Sequence, residues 1–311
     1  MRGVAAGGGT RYVVPRLAPP SADMPDFTPF RIAEPTLAPV PVLVDSPHSG
    51  MDWPADFGTV ASPAAIRTTW DAFVDELWGG APSVGATLIA ATFPRAYIDA
   101  NRARDDIDPE LLAEPWPEPL SPTGYSARGM GLIRRSALPG VPMYNRLLRV
   151  DEVRHRIVSC HAPYRGAIAE RLAELHGQFG AVWHINAHSM KSRGNAMNVD
   201  AESARPDVVV SDRHGATADP AHTRWVAHWF ASRGFSTRIN DPYQGGDIVA
   251  SAGDPAAGRH SMQVEFNRAL YMHEADVTRG PRFAALQACC TDFVRALAAY
   301  ASTWNASRDE A

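Results

Sequence analysis

The alternation of short apolar runs with longer stretches of helical period constrains this chain more than any other feature. Val42-Leu43-Val44, Ala86-Thr87-Leu88-Ile89-Ala90, Ala181-Val182-Trp183 and Val208-Val209-Val210 are too short for helices and show no polar face, the pattern of strands buried on both sides. Further strands are expected over residues 96–99, 235–239 and 260–266. Helical spacing fills the intervals. It runs over residues 62–79, opened by Ser62-Pro63 and closed by Gly79-Gly80, and over residues 151–177, which Pro163 is expected to kink or divide. It returns over residues 222–233, stopped by Gly234, and residues 281–304. Strands and helices in alternation predict an α/β fold with a mainly parallel sheet covered by helices on both faces.

At 311 residues the chain exceeds the usual single domain, yet α/β enzymes of this size are commonly one unit. Residues 31–311 read as a single domain. Residues 1–30, rich in Gly, Ala and Pro, read as a poorly ordered leader with Met24 as an alternative start. Residues 105–143 are dense in Pro and Gly without sustained period, and read as a functional loop or lid rather than a second domain. The net charge of −4 and the lack of any basic run argue against a nucleic-acid partner and leave a small molecule as the expected one. No apolar stretch approaches the roughly 20 residues that span a bilayer, and no signal-peptide core is present, so no membrane partner and a cytoplasmic location are expected. Cys160, Cys289 and Cys290 are too few and too badly spaced for a disulfide framework and read as reduced core thiols.

Two histidines follow apolar runs, His48 in Pro47-His48-Ser49-Gly50 and His188 in Asn186-Ala187-His188-Ser189-Met190. A parallel sheet delivers both rings to its carboxyl edge, where open α/β sheets bind ligands. A catalytic zinc asks for three nitrogen or oxygen ligands and an open position, commonly beside a carboxylate base. His48 and His188 supply the nitrogens. Asp71 is the first choice for the third ligand because the helix expected to bear it follows directly on the His48 loop. Asp75, four residues on and so on the same helical face, is the alternative. Either histidine alone is more simply a satisfied polar residue, and their spacing does not by itself establish a metal. Glu265 ends the strand expected over residues 260–266, in reach of the same edge as a proton acceptor, or else paired with Arg259 or Arg268. Arg102 suits a carboxylate clamp or a surface ion pair. Gly245-Gly246 permit close backbone approach to a ligand, or an ordinary turn.

Six segments then fall in one order. They are Pro47-His48-Ser49-Gly50, Asp99-Ala100-Asn101-Arg102, Ala187-His188-Ser189-Met190, Asp212-Arg213-His214-Gly215, the run from Asn240-Asp241-Pro242 to Gly245-Gly246, and the run from Gln263-Val264-Glu265 to Tyr271-Met272. In that order, over residues 38–275, the chain resembles the N-formylglutamate amidohydrolases. The resemblance implies a fold similar to the zinc carboxypeptidases, a three-layer α/β/α sandwich around a mainly parallel, mixed sheet of the zinc-exopeptidase or phosphorylase/hydrolase kind, and a Zn2+ cofactor. It implies hydrolysis of the formamide of an N-formyl amino acid, most simply N-formyl-L-glutamate, as in histidine degradation. His48, Asp71 and His188 are then the implied zinc ligands and Glu265 the general base. Asn101 and Arg102 are implied to clamp the substrate α-carboxylate, Arg134 in Gly131-Leu132-Ile133-Arg134-Arg135 to hold a second carboxylate, and Gly245 and Gly246 to border the substrate.

Four positions depart from the family pattern: Asn186 stands where an acid is frequent, Asp247 replaces an expected aromatic, Gln244 a lysine or small residue, and Arg165 a histidine. Asn186 is expected to alter a hydrogen-bond partner of His188, and the added acid and arginine to alter which side chain the pocket prefers. A broader N-acyl amino acid amidohydrolase or a small carboxypeptidase keeps the same chemistry. A protein that binds an acylated amino acid without turning it over is the alternative of a different class.

Overall fold

A computed structural model of the chain describes residues 27–309. Most of the expected leader, including Met24, lies outside the described residues, but its last residue does not: Phe30 opens an edge strand. The central sheet has seven strands: β1 (Phe30–Ala33), β2 (Val42–Ser46), β3 (Thr87–Ala91), β4 (Val182–Met190), β5 (Val208–Ser211), β6 (Thr237–Ile239) and β7 (Arg259–Asn267). Their order is β1-β3-β2-β4-β7-β5-β6. The four inner neighbours from β3 to β7 run parallel, as does the β5/β6 pair, while β1 on β3 and β5 on β7 are antiparallel. The sheet is therefore mainly parallel, as the alternation of elements predicts, and mixed, as the family resemblance implies.

Helices cover both faces. Val42, Val44, Trp183, Ile185, Met262, Val264 and Phe266 meet Val226 and Phe230 of α5 (Pro220–Ala231), and Phe293 and Leu297 of α7 (Phe283–Asp309), in one core. Leu43, Ile89 and Val182 on the other face pack with Tyr164, Ile168 and Leu172 of α4 (Ala162–Phe179) and Ile248 of α6 (Asp247–Ala252). Residues 105–143 are not a detached loop: Ile107, Leu111, Leu132, Ile133 and Met143 are buried in this second core.

Two expected elements fail for identifiable reasons, and a third holds in altered form. Residues 96–99 form a turn rather than a strand, with Tyr97 donating its amide to Pro94 and Asp99 to Leu132. The helix expected over residues 62–79 splits into α1 (Pro63–Arg67), capped by the Ser62 side chain, and α2 (Val74–Leu77). Tertiary contacts override helix propensity between them: the Asp71 amide donates to His48 O at 3.1 Å, the Trp70 indole to Ser49 O at 2.6 Å, and Phe73 turns the chain with φ 64°. Asp71 and Asp75 therefore do not share a helical face. Pro163 does divide its helix, but through a register change: α3 (Val150–Arg156) passes through a π turn, Ile157–His161, before α4 begins. The wider turn absorbs the missing proline N–H.

Candidate metal centre and active site

The period of two along adjacent parallel strands builds the site. Residues His188 and Glu265, Asn186 and Gln263, and His184 and Ser261 are register partners on β4 and β7, and Asp45 of β2 is opposite Asn186. Side chains two apart share a face, so the strands carry a buried polar row between apolar neighbours. His188 lies inside β4, which runs on to Met190, rather than beyond the end of the strand that the apolar run Ala181-Val182-Trp183 marks. His48 follows β2 by two residues. Gly50 allows that path: a Cβ there would stand 2.1 Å from the Thr92 carbonyl carbon, so any larger residue would push the His48 loop off the chain leaving β3.

His48, Asp71 and His188 converge, all buried. His48 Nδ1 is 3.1 Å from His188 Nδ1 and 3.4 Å from Asp71 Oδ2, and His188 Nδ1 is 3.1 Å from the same oxygen. Each histidine donates its other nitrogen outward, His48 Nε2 to Asp99 Oδ1 at 2.7 Å and His188 Nε2 to Asn186 Oδ1 at 2.8 Å. Both Nδ1 lone pairs then face a carboxylate oxygen, three acceptors with no proton among them. A bound cation would reconcile that donor set, and a tetrahedral zinc with bonds of about 2.0–2.1 Å sets its ligand atoms about 3.3 Å apart. The residues fit the ion. Asp75 is not part of the cluster.

The surroundings are charged and ordered. Asp71 turns its second oxygen to Arg268 Nη2 at 2.9 Å. Burial opposes its ionisation, but the contacts of His188 and His48 and the charge of Arg95 hold it well below the usual carboxylate range. Asp99, beyond His48, is gripped by Arg95 at 2.7 Å. Glu265 takes neither of the ion pairs open to it in the sequence: Arg268 binds Asp71, and Arg259 binds Asp254 at 2.9 Å. Its Oε1 accepts from Gln263 Nε2 at 2.8 Å. Burial pushes its carboxyl above the usual range, partly offset by His188, with the charge of Asp71 adding to the rise.

A cavity opens in front of His48, His188 and Glu265, and every proposed substrate residue borders it: Asn101, Arg102, Arg134, Gly245 and Gly246. Arg102 donates only to the carbonyls of Met130 and Asn101 and lies 3.8 Å over the Tyr125 ring, with no carboxylate partner among the described residues. Arg134 is buried with its Nε unpartnered among the described residues, and burial, with Arg95 beside it, brings its pKa down to about 9. Asn101 is committed internally: its Oδ1 accepts from the Ile248 amide at 3.0 Å and its Nδ2 faces Asn186 Oδ1 and Gln263 Oε1. Gly246 is required by that packing, since a Cβ would lie 2.4 Å from the Asn101 amide. The segments at residues 212–215 and 240–246 brace one another through reciprocal bonds between Asp212 and Asn240, 2.7 and 3.0 Å.

Two of the departures cancel. Arg165 of α4 pairs with Asp247 at 2.8 Å, behind Asn101 and away from the cavity, so neither faces the substrate space that they were expected to reshape. Sequence reasoning missed Asp45, Arg95, Asp99, Gln263 and Arg268. The signal for one of them, Gln263, was present: Met262-Gln263-Val264-Glu265, like Trp183-His184-Ile185-Asn186-Ala187-His188 beside it, alternates strictly, and a buried parallel strand that alternates has a polar duty on one face. Arg95 and Asp99 sit in turns and give no such signal.

Comparison with known proteins follows the same lines. A family profile for N-formylglutamate amidohydrolase matches residues 40–272. The N-formylglutamate deformylase of Pseudomonas aeruginosa is 30% identical over 240 residues, covering 76% of this chain and 83% of that protein. The N-formylglutamate deformylase of Pseudomonas putida is 28% identical over 243 residues, covering 76% and 84%. The crystal structure of N-formylglutamate amidohydrolase from Ralstonia eutropha JMP134 superposes with a TM-score of 0.85 at 41% identity, covering 89% of this chain and 99% of that one.

Proposed function

The chain belongs to the N-formylglutamate amidohydrolase family, and from that premise we propose that it catalyses zinc-dependent hydrolysis of the formamide bond of N-formyl-L-glutamate or a closely related N-formyl amino acid. The observation that carries this reading is the set of three convergent acceptors, His48 Nδ1, His188 Nδ1 and Asp71 Oδ2, beside a carboxyl of raised pKa at Glu265. When bound there, a zinc ion supplies Lewis acidity toward the formyl oxygen and the attacking water. Glu265 takes the proton of that water on Oε2, the oxygen that Gln263 leaves free, and returns it to the amide nitrogen as the C–N bond breaks. One formamide and one water thus become formate and a free amino group.

The arginines supply orientation. Arg102 and Arg134 border the cavity without a carboxylate partner among the described residues, which suits a substrate bearing two carboxylates. Asn101 contributes by holding the Gly246–Ile248 backbone rather than by a free amide. The three cysteines are free, which agrees with the reduced cytoplasmic compartment we propose. A panel of N-formyl-L-glutamate, N-acetyl-L-glutamate and N-formyl-L-leucine tests the substrate assignment by release of the free amino acid. The first is expected to be turned over fastest, and preference for the acetyl compound overturns the formamide assignment.

A further inference from the structure

We propose that Asp45 is a positioning residue for metal capture, acting on His188 through the side chain of Asn186. The inference rests on the metal site described above and adds a residue that does not touch the ion. Asp45 lies on β2, fully buried, directly across from Asn186 of β4. Its Oδ1 accepts from Asn186 Nδ2 at 2.8 Å and from His184 Nε2 at 2.8 Å, and its Oδ2 from the Tyr164 hydroxyl at 2.6 Å.

The logic is one of forced orientation. An ionised carboxylate can only accept, so it fixes which end of the Asn186 amide faces it. With Nδ2 committed to Asp45, Oδ1 must face His188, where it stands 2.8 Å from Nε2. Asn101 Nδ2 lies 3.1 Å from His188 Nε2, but its two hydrogens have acceptors of their own in Asn186 Oδ1 at 3.4 Å and Gln263 Oε1 at 3.3 Å, so it leaves the bond between His188 and Asn186 in place. The proton of His188 is thereby held on Nε2, because the other tautomer would set acceptor against acceptor at 2.8 Å. Its Nδ1 lone pair is left for the ion.

The two histidines are thus supported differently. His48 donates directly to an acid, Asp99, whose charge is neutralised by Arg95 at 2.7 Å. His188 donates to a neutral amide, and the acid stands one residue farther out on the next strand, with no arginine or lysine in ion-pair contact among the described residues. Asn186 therefore keeps the negative charge in the network but moves it from β4 to β2.

Charge exchange between the two positions tests this, with zinc affinity measured by chelator competition on the full chain. D45N is expected to bind zinc roughly 10- to 100-fold more weakly, the usual cost of losing an outer partner of a metal-bound histidine. N186D, which sets two carboxylates across the 2.8 Å contact, is also expected to weaken binding. The double variant D45N/N186D returns one carboxylate and one amide, now with the acid directly on His188, and is expected to recover wild-type affinity to within a few-fold. Y164F removes a bond to the same carboxylate outside the relay, so it should lower the melting temperature of the metal-free chain yet leave zinc affinity nearly unchanged. Wild-type affinity in D45N overturns the proposal. So does a double variant no tighter than N186D, a comparison that decides the matter even if D45N does not fold. If the wild-type chain binds no zinc, the metal reading falls and the relay with it; zinc binding that D45N leaves intact removes the relay alone.

Discussion

The two faces of the central strands are both buried and are chemically opposite. Trp183, Ile185, Ala187, Met262, Val264 and Phe266 point into an apolar layer closed by α5 and α7. Their immediate neighbours, His184, Asn186, His188, Ser261, Gln263 and Glu265, form the polar row facing α4. The dry face gains stability from volume and close packing, while on the wet face each polar group that builds the site is matched to a partner at hydrogen-bond distance. Because the side-chain period is two, a slip of one residue would exchange the faces, so the apolar residues fix the register on which the chemistry depends.

Substitutions on either face test whether stability and chemistry separate in this way. The largest effect is expected for E265Q, which should retain zinc but lose roughly 10²- to 10⁴-fold in kcat, the range for removal of a general base. Turnover near the wild-type rate in that variant removes Glu265 from the role. On the dry face, F266A should cost about 3–5 kcal/mol of stability in denaturant titration while the folded fraction binds zinc as tightly as before. A weakened affinity in the folded fraction would mean that the faces are not independent.

A milder effect concerns pH. His222 of α5, packed against Trp183 and stacked on His260, has both ring nitrogens unpartnered, and burial lowers its pKa from 6.5 to about 4. The unfolded chain then binds a proton that the folded chain refuses, so stability is full above about pH 6.5 and falls as the pH drops toward 4. H222F should make that fall shallower in thermal melts across the window, and an unchanged slope would discount the histidine. The smallest change, I185V on the dry face, is expected to cost about 0.5–1.5 kcal/mol with activity intact.

The sequence carried the sheet because its inner strands are apolar on at least one face; it pointed to His48, His188 and Glu265 because the family motifs enclose them, and to Asp71 because it follows closely on the His48 loop. It did not carry the break between α1 and α2, since nothing local in residues 68–73 opposes a helix. The contacts that break it come from His48 and Ser49, distant in sequence until the sheet forms. Asp99 carried no assigned role in the sequence beyond opening the Asp99-Ala100-Asn101-Arg102 segment; it supports His48, a role set by a turn that residues 96–99 hide behind a strand-like composition. The pairing of Arg165 with Asp247 was equally invisible, because two departures far apart in the chain become one compensated pair only in three dimensions.

Formate release from N-formyl-L-glutamate, measured on the chain as isolated, after chelation and after reloading with zinc, tests the central assignment most directly. The expected result is release that is lost with the metal and restored by about one equivalent of zinc per chain. Release that continues undiminished in chelated, metal-free protein contradicts the assignment of His48, Asp71 and His188 as the catalytic metal centre.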